Sequence, residues 1–187
     1  IINFTIAGTS YQAEEGMTWA EYDAADHDTA VVIEAYVQVT QSWWDNKITV
    51  YLQDGDGAYF CYNMACSEED FAKLTQGTKI RVKGYKAEWS GEVEIVDATF
   101  EIIDGNYVAA TTDVTDILAN EAELIKKQNM FVSFKGMTVE SAAIYKWDGS
   151  GQDGDDLYFN VSKDGKTYSF TVESYLCDNT TEVYQAV

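Results

Sequence analysis

Residues 31–40 alternate between two kinds of side chain at every position but Val32, and this run constrains the fold more than any other feature of the chain. One face carries only apolar side chains, at Val31, Ile33, Ala35, Val37 and Val39. The other face carries Glu34, Tyr36, Gln38 and Thr40. A period of two is the repeat of a β-strand with one buried face. The run therefore predicts a half-buried strand, and the capping box Thr18–Glu21 before it predicts a short helix.

Further elements follow in a definite order. The pattern predicts a strand with Ile48, Val50 and Leu52 inward, a tight turn at 54–57, a strand over 58–64, a helix over 67–74, and strands over 79–86 and 93–103. Gly77 ends the helix, whose first turn carries the acidic residues that a helix N-terminus favours. Three strands, one helix and two strands are the order of the OB fold, a five-stranded Greek-key barrel. A generic β-sandwich is the alternative.

The same order begins again in the second half of the chain. It predicts a helix over 115–127 and strands over 132–139, 157–161 and 168–172, with Gly136 as a bulge inside the first of these strands. Trp147-Asp148 matches Trp44-Asp45. We therefore predict an all-β protein with short helices, made of a lead-in (1–17), a first OB-fold barrel (18–110) and a second barrel (111–187) that lacks its last two strands. We expect either about 30–40 further residues after Val187 or strands from a partner chain.

The formal net charge is -20, from 32 acidic and 12 basic residues. A field of that sign repels nucleic-acid phosphates and anionic lipid headgroups, so the charge disfavours a nucleic-acid partner and predicts a soluble acidic surface. One basic stripe is present, at Lys79, Arg81 and Lys83. We expect it to pair with Glu92 and Glu94 on the neighbouring strand rather than to bind phosphate.

Several of these segments resemble a known group of proteins. The runs Ala35-Tyr36-Val37-Gln38, Ser42-Trp43-Trp44-Asp45 and Trp89-Ser90-Gly91, with the strands at 48–54 and 79–85, are similar to OB-fold domains of cell-surface lipoproteins from gut Firmicutes. The resemblance implies an exported bacterial protein held at the cell surface by a lipid anchor upstream of Ile1. It implies no activity, because the shared motifs are structural.

Residues that could support catalysis or metal binding are sparse. His27 is the one histidine and lies in a polar run, where a solvated role is expected. The sequence carries no nucleophile elbow and no phosphate-binding glycine loop, so we predict no enzyme activity and no cofactor; a hydrolase would rest on abundant carboxylates alone. In the oxygen-rich loop 148–156, Asp153, Asp155 and Asp156 are weak calcium candidates, although the loop lacks the Glu at position twelve of an EF-hand.

Aromatic side chains give the candidate binding site. OB folds bind ligands across strands two and three, between the first loop and the loop that joins strands four and five. The candidates are Trp43, Trp44, Tyr51, Trp89, Tyr36 and, in the second barrel, Trp147. We predict a cell-surface binding module for a glycan or a protein, and the alternative is a single-stranded nucleic-acid-binding protein. The structural alternative is that these rings cap the barrel ends or pack between the two domains.

Overall fold

The first half of the chain closes into a barrel. The structure is a computed structural model, and it describes residues 16–145, 156–176 and 181–187. The barrel strands are β1 (Ala30–Thr40), β2 (Lys47–Gln53), β3 (Ala58–Ala65), β4 (Thr78–Trp89) and β5 (Glu92–Asn106), in the closed spatial order β1-β2-β3-β5-β4. Helix α1 (Trp19–Ala24) precedes β1, and α2 (Glu68–Phe71) joins β3 to β4. Because β3 and β5 meet in parallel and the other neighbours are antiparallel, the barrel is an OB fold, as predicted.

Bulges let these strands curl until the barrel closes. Asn63 in β3 has φ +48°, and its amide donates to the Thr49 hydroxyl over 3.2 Å. Asp97 in β5 has φ +50°, and the β4–β5 register shifts close to it, beside Gly84. A Cβ at Gly84 would stand 2.6 Å from Cγ2 of Ile95, so glycine lets β4 and β5 approach each other there.

An aromatic cluster closes one end of the barrel. Trp19 and Tyr22 of α1 pack on Tyr59, with ring centroids 5.2 and 5.0 Å from the Tyr59 ring. The predicted capping box starts α1, because the Thr18 hydroxyl accepts from the Glu21 amide over 3.3 Å and the Thr18 amide donates to the Glu21 carboxylate over 2.8 Å. Tyr22 is 2% exposed, so α1 is part of the barrel core.

Lys86 holds the other end of α1. This lysine is 5% exposed, and its Nζ donates to the carbonyl oxygens of Tyr22, Asp23 and Ala25 over 3.0, 2.8 and 2.8 Å. The ammonium also lies 5.2 Å from the Tyr22 ring centroid. A cation at a helix C-terminus interacts favourably with the last carbonyls of the helix, of which that of Tyr22 also accepts from the Ala25 amide over 3.2 Å. Lys86 is therefore a helix cap.

The segment after the barrel departs from the prediction. Strand β6 (Thr112–Asp113) pairs in parallel with β7 (Val132–Ser133). Between them lie two 3-10 helices, Thr115–Ile117 and Ile125–Lys127, and the short α3 (Glu121–Leu124). The predicted continuous helix over 115–127 is wrong, because Asn120 has non-helical φ and ψ of -114° and 88°. Its carbonyl accepts from the amides of Glu123 and Leu124, which begins a new turn.

A second sheet follows, made of β8 (Thr138–Tyr145), β9 (Asp156–Lys163) and β10 (Lys166–Val172) in antiparallel order. Gly136, with φ +66°, separates β7 from β8, so the predicted single strand 132–139 is interrupted there. Tyr184 of α4 (Glu182–Ala186) packs against Leu157. Three strands and then a helix match the predicted order, and the incomplete second barrel stays a prediction. Within the described ranges, no helix combines the length and apolarity that a membrane span requires.

Candidate ligand-binding face

An apolar stripe crosses the outside of β1, β2 and β3. Val50, Leu52 and Cys61 point into the barrel, so strand alternation turns Tyr51, Phe60 and Tyr62 outward. The Tyr51 and Phe60 ring centroids are 4.8 Å apart, and those of Phe60 and Tyr62 are 6.4 Å apart. Val39, 44% exposed, lies opposite Tyr51 in the β1–β2 ladder. Phe60 is 6% exposed and Tyr51 is half-buried, so Val39 and Tyr62 are the members that solvent reaches most easily. We call Val39, Tyr51, Phe60 and Tyr62 the aromatic face.

Trp44 stands at the tip of the β1–β2 hairpin, where it pairs with Lys47. Asp45 and Asn46 both have positive φ, +48° and +57°, which is the geometry of a type I′ turn. Backbone hydrogen bonds of 3.1 and 2.9 Å between Trp44 and Lys47 close this turn. The Trp44 side chain is 68% exposed. A rigid turn therefore presents a large ring to solvent.

The other two barrel tryptophans occupy different surroundings. Trp43 is half-buried, and its indole N–H donates to the Cys66 carbonyl over 3.0 Å, which joins the first loop to the chain after β3. Trp89, 76% exposed, precedes the Ser90–Gly91 turn. Because the end of β4 pairs with the start of β1, Trp89 lies at the end of the barrel opposite Trp43 and Trp44. The three rings do not form one group.

Tyr36, also a predicted site residue, packs against the chain that leaves the barrel. Its ring lies 5.3 Å from that of Tyr107 and 5.8 Å from the Lys79 ammonium. The neighbouring Gln38 accepts from the Ala109 amide over 2.9 Å and donates to the Tyr107 carbonyl over 3.4 Å. This part of β1 therefore holds residues 107–109. Trp147 lies outside the described residues.

Sequence reasoning missed Val39, Phe60 and Tyr62. Strand alternation in β3 could have identified the two aromatic residues. Both are next to Cys61, which points inward, so both must point outward. No sequence pattern predicts that Val39 points outward. The bulge between Val37 and Val39 turns it outward, although the uninterrupted alternation places it with the core.

Carboxylates lie close to the aromatic face. Burial raises the pKa of Tyr51 to about 12, with further contributions from Glu92 and from Glu173, which follows β10. Burial, Glu173 and Glu94, in that order, raise the pKa of Glu92. Tyr51 and Glu92 therefore lie in partly buried surroundings with other carboxylates nearby.

The basic stripe is paired, although not with the predicted partners. Lys79 Nζ lies 2.8 Å from the Glu34 carboxylate, and Arg81 forms ion pairs with Glu34 and Glu101. Hydrogen bonds from Lys79 and Arg81 hold the pKa of Glu34 below its usual range. The predicted pairing with Glu92 and Glu94 is wrong, because the β4–β5 register places these two residues opposite Trp89 and Ala87.

The calcium candidates differ in where they fall. Asp153 and Asp155 lie outside the described residues. Asp156 begins β9, and its carboxylate accepts from the Ser174 amide over 3.0 Å, which is a local structural role. Across the described ranges, no group of three or more His, Cys, Asp or Glu side chains converges as a metal site would. The exposed His27 lies 3.9 Å from Glu88.

Comparison with known proteins gives similarity in fold alone. No protein-family model and no curated protein matches the chain. An asparaginyl-tRNA synthetase from Entamoeba histolytica with asparaginyl-adenylate has TM-score 0.40 at 16% identity, covering 57% of this chain and 29% of the synthetase. The aspartyl-tRNA synthetase of that organism has TM-score 0.38 at 14% identity, covering 72% and 30%. The Ifi202 HINa domain in complex with 20-bp dsDNA has TM-score 0.37 at 12% identity, covering 78% and 74%.

These similarities correct one expectation. The charge argument disfavoured nucleic acid as a partner, but two of the similar proteins are tRNA synthetases and the third is described with bound dsDNA. That expectation is contradicted, and a net charge of -20 does not exclude nucleic acid as a ligand class. The chain spans about three tenths of either synthetase, 29% and 30%.

Proposed function

We propose that this chain is a non-catalytic binding module whose first barrel meets its ligand on the aromatic face. The proposal rests on two exposed rings of the barrel, Trp44 in the β1–β2 turn and Tyr62 on β3, which are 68% and 48% exposed. This surface is where OB folds bind ligands. The ligand we propose is a glycan or an apolar segment of a protein, because sugar rings and apolar side chains both pack on exposed aromatic rings.

Local electrostatics support an uncharged or cationic ligand. Glu92 is half-buried, and its raised pKa reflects burial and the nearby Glu173 and Glu94. In the basic stripe, which is the candidate phosphate-binding surface, Lys79 and Arg81 form ion pairs with Glu34. A glycan or a protein segment gains ring contacts on this face without placing negative charge beside these carboxylates.

Single-stranded nucleic acid is the second candidate function. The observation in its favour is Tyr62, a 48% exposed ring on β3 whose centroid lies 6.4 Å from that of the buried Phe60. A base that stacks on an exposed aromatic side chain gains about 1–3 kcal/mol. Binding through bases with few phosphate contacts has a shallow salt dependence, since the slope is about -0.7 per neutralised phosphate on single strands.

Two variants and a matched control test the site. Trp44→Ala and Tyr62→Ser should each weaken binding about tenfold, because each removes a stacking ring. The free energy of unfolding should change by less than about 1 kcal/mol, because both side chains are exposed. Trp89→Ala removes an equally exposed ring from the other end of the barrel and should leave affinity unchanged.

The ligand class follows from three probes: a glycan array, a peptide array, and a fluorescent single-stranded oligonucleotide titrated at several salt concentrations. Binding to glycans or peptides that Trp44→Ala weakens supports the main proposal. Oligonucleotide binding with the same dependence supports the second candidate. A ligand whose affinity falls with Trp89→Ala and not with Trp44→Ala contradicts both.

We also propose that the protein is exported and displayed at a bacterial cell surface. The acidic composition and the lipoprotein resemblance support this location. Digestion of intact cells with an external protease should remove the protein while a cytoplasmic marker survives. Protection of the protein until the cells are lysed would contradict the proposed location.

A further inference from the structure

A cavity of about 320 Å³ lies where residues 125–130 cross the α1 end of the barrel. One wall consists of α1 and the turn between β2 and β3, and the other is the crossing segment. The cavity shares no residue with the aromatic face. Its volume is at the lower end of the range for small-molecule pockets, about 300–1,000 Å³. It therefore suits a molecule of amino-acid size.

The barrel wall is held rigidly by Trp19. Its indole lies over Gly57, where a Cβ would stand 2.1 Å from Cδ2 of the ring, so only glycine leaves room for it. The ring is also 5.7 Å from Tyr22 and 5.2 Å from Tyr59, in centroid distances. Packing on these sides sets the position of an aromatic surface that lines the cavity.

The opposite wall is fixed by hydrogen bonds to the barrel. The Gln128 side chain accepts from the Val93 amide over 2.8 Å, and Asn129 donates to the Val93 carbonyl over 3.2 Å. Next along the chain, the Phe131 amide donates to the buried side chain of Gln53 over 2.9 Å. Both walls thus stand at a set separation before any ligand binds, which lowers the entropy cost of binding.

The two walls carry opposite charge. Asp23 and Asp56 line the barrel wall, and Lys126 and Lys127 line the crossing segment. Lys126 is paired with Glu123 over 2.7 Å. Among the residues that the structure describes, no salt bridge joins Asp23, Asp56 or Lys127 to another side chain. Two carboxylates and one ammonium are therefore left to interact with a ligand.

We propose that this cavity binds a small zwitterion of amino-acid type. Its ammonium faces Asp23 and Asp56, its carboxylate faces Lys127, and its apolar side chain packs on Trp19. Opposite charges on opposite walls match a molecule that carries both charges, and each contact is a charge-assisted hydrogen bond. The proposal concerns a second site and does not depend on the function proposed for the aromatic face.

Calorimetric titration with three probes tests the charge pattern. L-phenylalanine carries both charges, 2-phenylethylamine carries only the ammonium, and 3-phenylpropionate carries only the carboxylate. L-phenylalanine should bind at least about tenfold more tightly than either analogue, because each analogue loses one charged contact. It should also raise the melting temperature, since a ligand bound only by the folded state stabilises that state.

Variants assign the charges to their walls. In Lys127→Gln, L-phenylalanine and 2-phenylethylamine should bind with equal affinity. In the double variant Asp23→Asn with Asp56→Asn, L-phenylalanine and 3-phenylpropionate should bind with equal affinity. Lys166→Gln and Asp104→Asn alter exposed charges elsewhere and are the controls. Circular dichroism verifies that each variant is folded, and Lys127→Gln alone suffices should the double variant fail to fold.

The outcomes are distinct. Equal affinity for all three probes, no heat with L-phenylalanine, or variants that behave as the controls would each overturn the proposal. Trp44→Ala and Tyr62→Ser should leave L-phenylalanine binding unchanged. The experiments therefore distinguish a failure of the proposed cavity site from a failure of the binding proposed for the aromatic face.

Discussion

The buried ammonium of Lys86 makes a quantitative prediction about the barrel. Lys86→Met keeps most of the stem but removes all three hydrogen bonds to the last carbonyls of α1. A hydrogen bond to a charged group contributes about 1.5–3 kcal/mol to stability. The buried Tyr22 carbonyl keeps its bond from the Ala25 amide, 3.2 Å, and water replaces part of the loss at the partly exposed Asp23 and Ala25 carbonyls. We expect the variant to lose about 2–4 kcal/mol of unfolding free energy.

Urea denaturation measures this loss. For a chain of this size, about 2–4 kcal/mol corresponds to a fall of about 5–15 °C in melting temperature. Hydrogen exchange adds a local measurement, because the amides of Tyr22 and Ala25 should lose more protection than those of β2 and β3. The control is Lys47→Met, an exposed lysine at the start of β2, with an expected change within about 0.5 kcal/mol. A Lys86→Met loss no larger than that of the control would refute the capping role.

Three further outcomes are expected. The pKa of Glu34 is lowered by its hydrogen bonds to Lys79 and Arg81, so its stabilising effect is complete above its ordinary pKa and is lost as pH falls through the lowered one. The stability gap between wild type and Glu34→Gln, from urea melts, should therefore shrink on acidification. Burial raises the pKa of Glu94, so Glu94→Gln should stabilise the protein at pH 7, an advantage that should vanish by about pH 4. Gly84→Ala should cost about 1–3 kcal/mol in the same assay, because its Cβ would meet Ile95 at 2.6 Å.

Strand alternation is enough to predict the barrel strands. The run from Val31 to Val37 has only one side that can be buried, and the structure buries Val31, Ile33, Ala35 and Val37 on it. The capping box at Thr18 works in the same way, because its two reciprocal hydrogen bonds are local. Local patterns fail between 115 and 127, where good helix formers are interrupted at Asn120 and long-range bonds hold the following turn against the barrel.

The candidate site was harder to predict than the fold, since it depends on how far strands slide past each other. Alternation alone places Tyr51 outward, and the structure agrees. Whether Trp44 and Trp89 lie together depends on the register of β1 and β4. Ala30, at the start of β1, pairs with Tyr85, near the end of β4, and this puts the two tryptophans at opposite ends of the barrel. Lys86 shows the same limit, because its spacing from Lys83 does not reveal that it turns inward to carbonyls far away in sequence.

Side-chain amides connect the barrel to the segment that follows it. Gln38 and Gln53 accept from the backbone amides of Ala109 and Phe131, and Gln128 accepts from the amide of Val93. Amides suit this task, because they offer both donors and acceptors without the desolvation cost of a charge. Val93 needs such a partner, since β5 joins β3 in parallel only at Ile95 and leaves its backbone groups unpaired on that side. Residues 128–131 thus complete the hydrogen bonding of the barrel while forming one wall of the cavity, so any ligand held there binds across both parts of the chain.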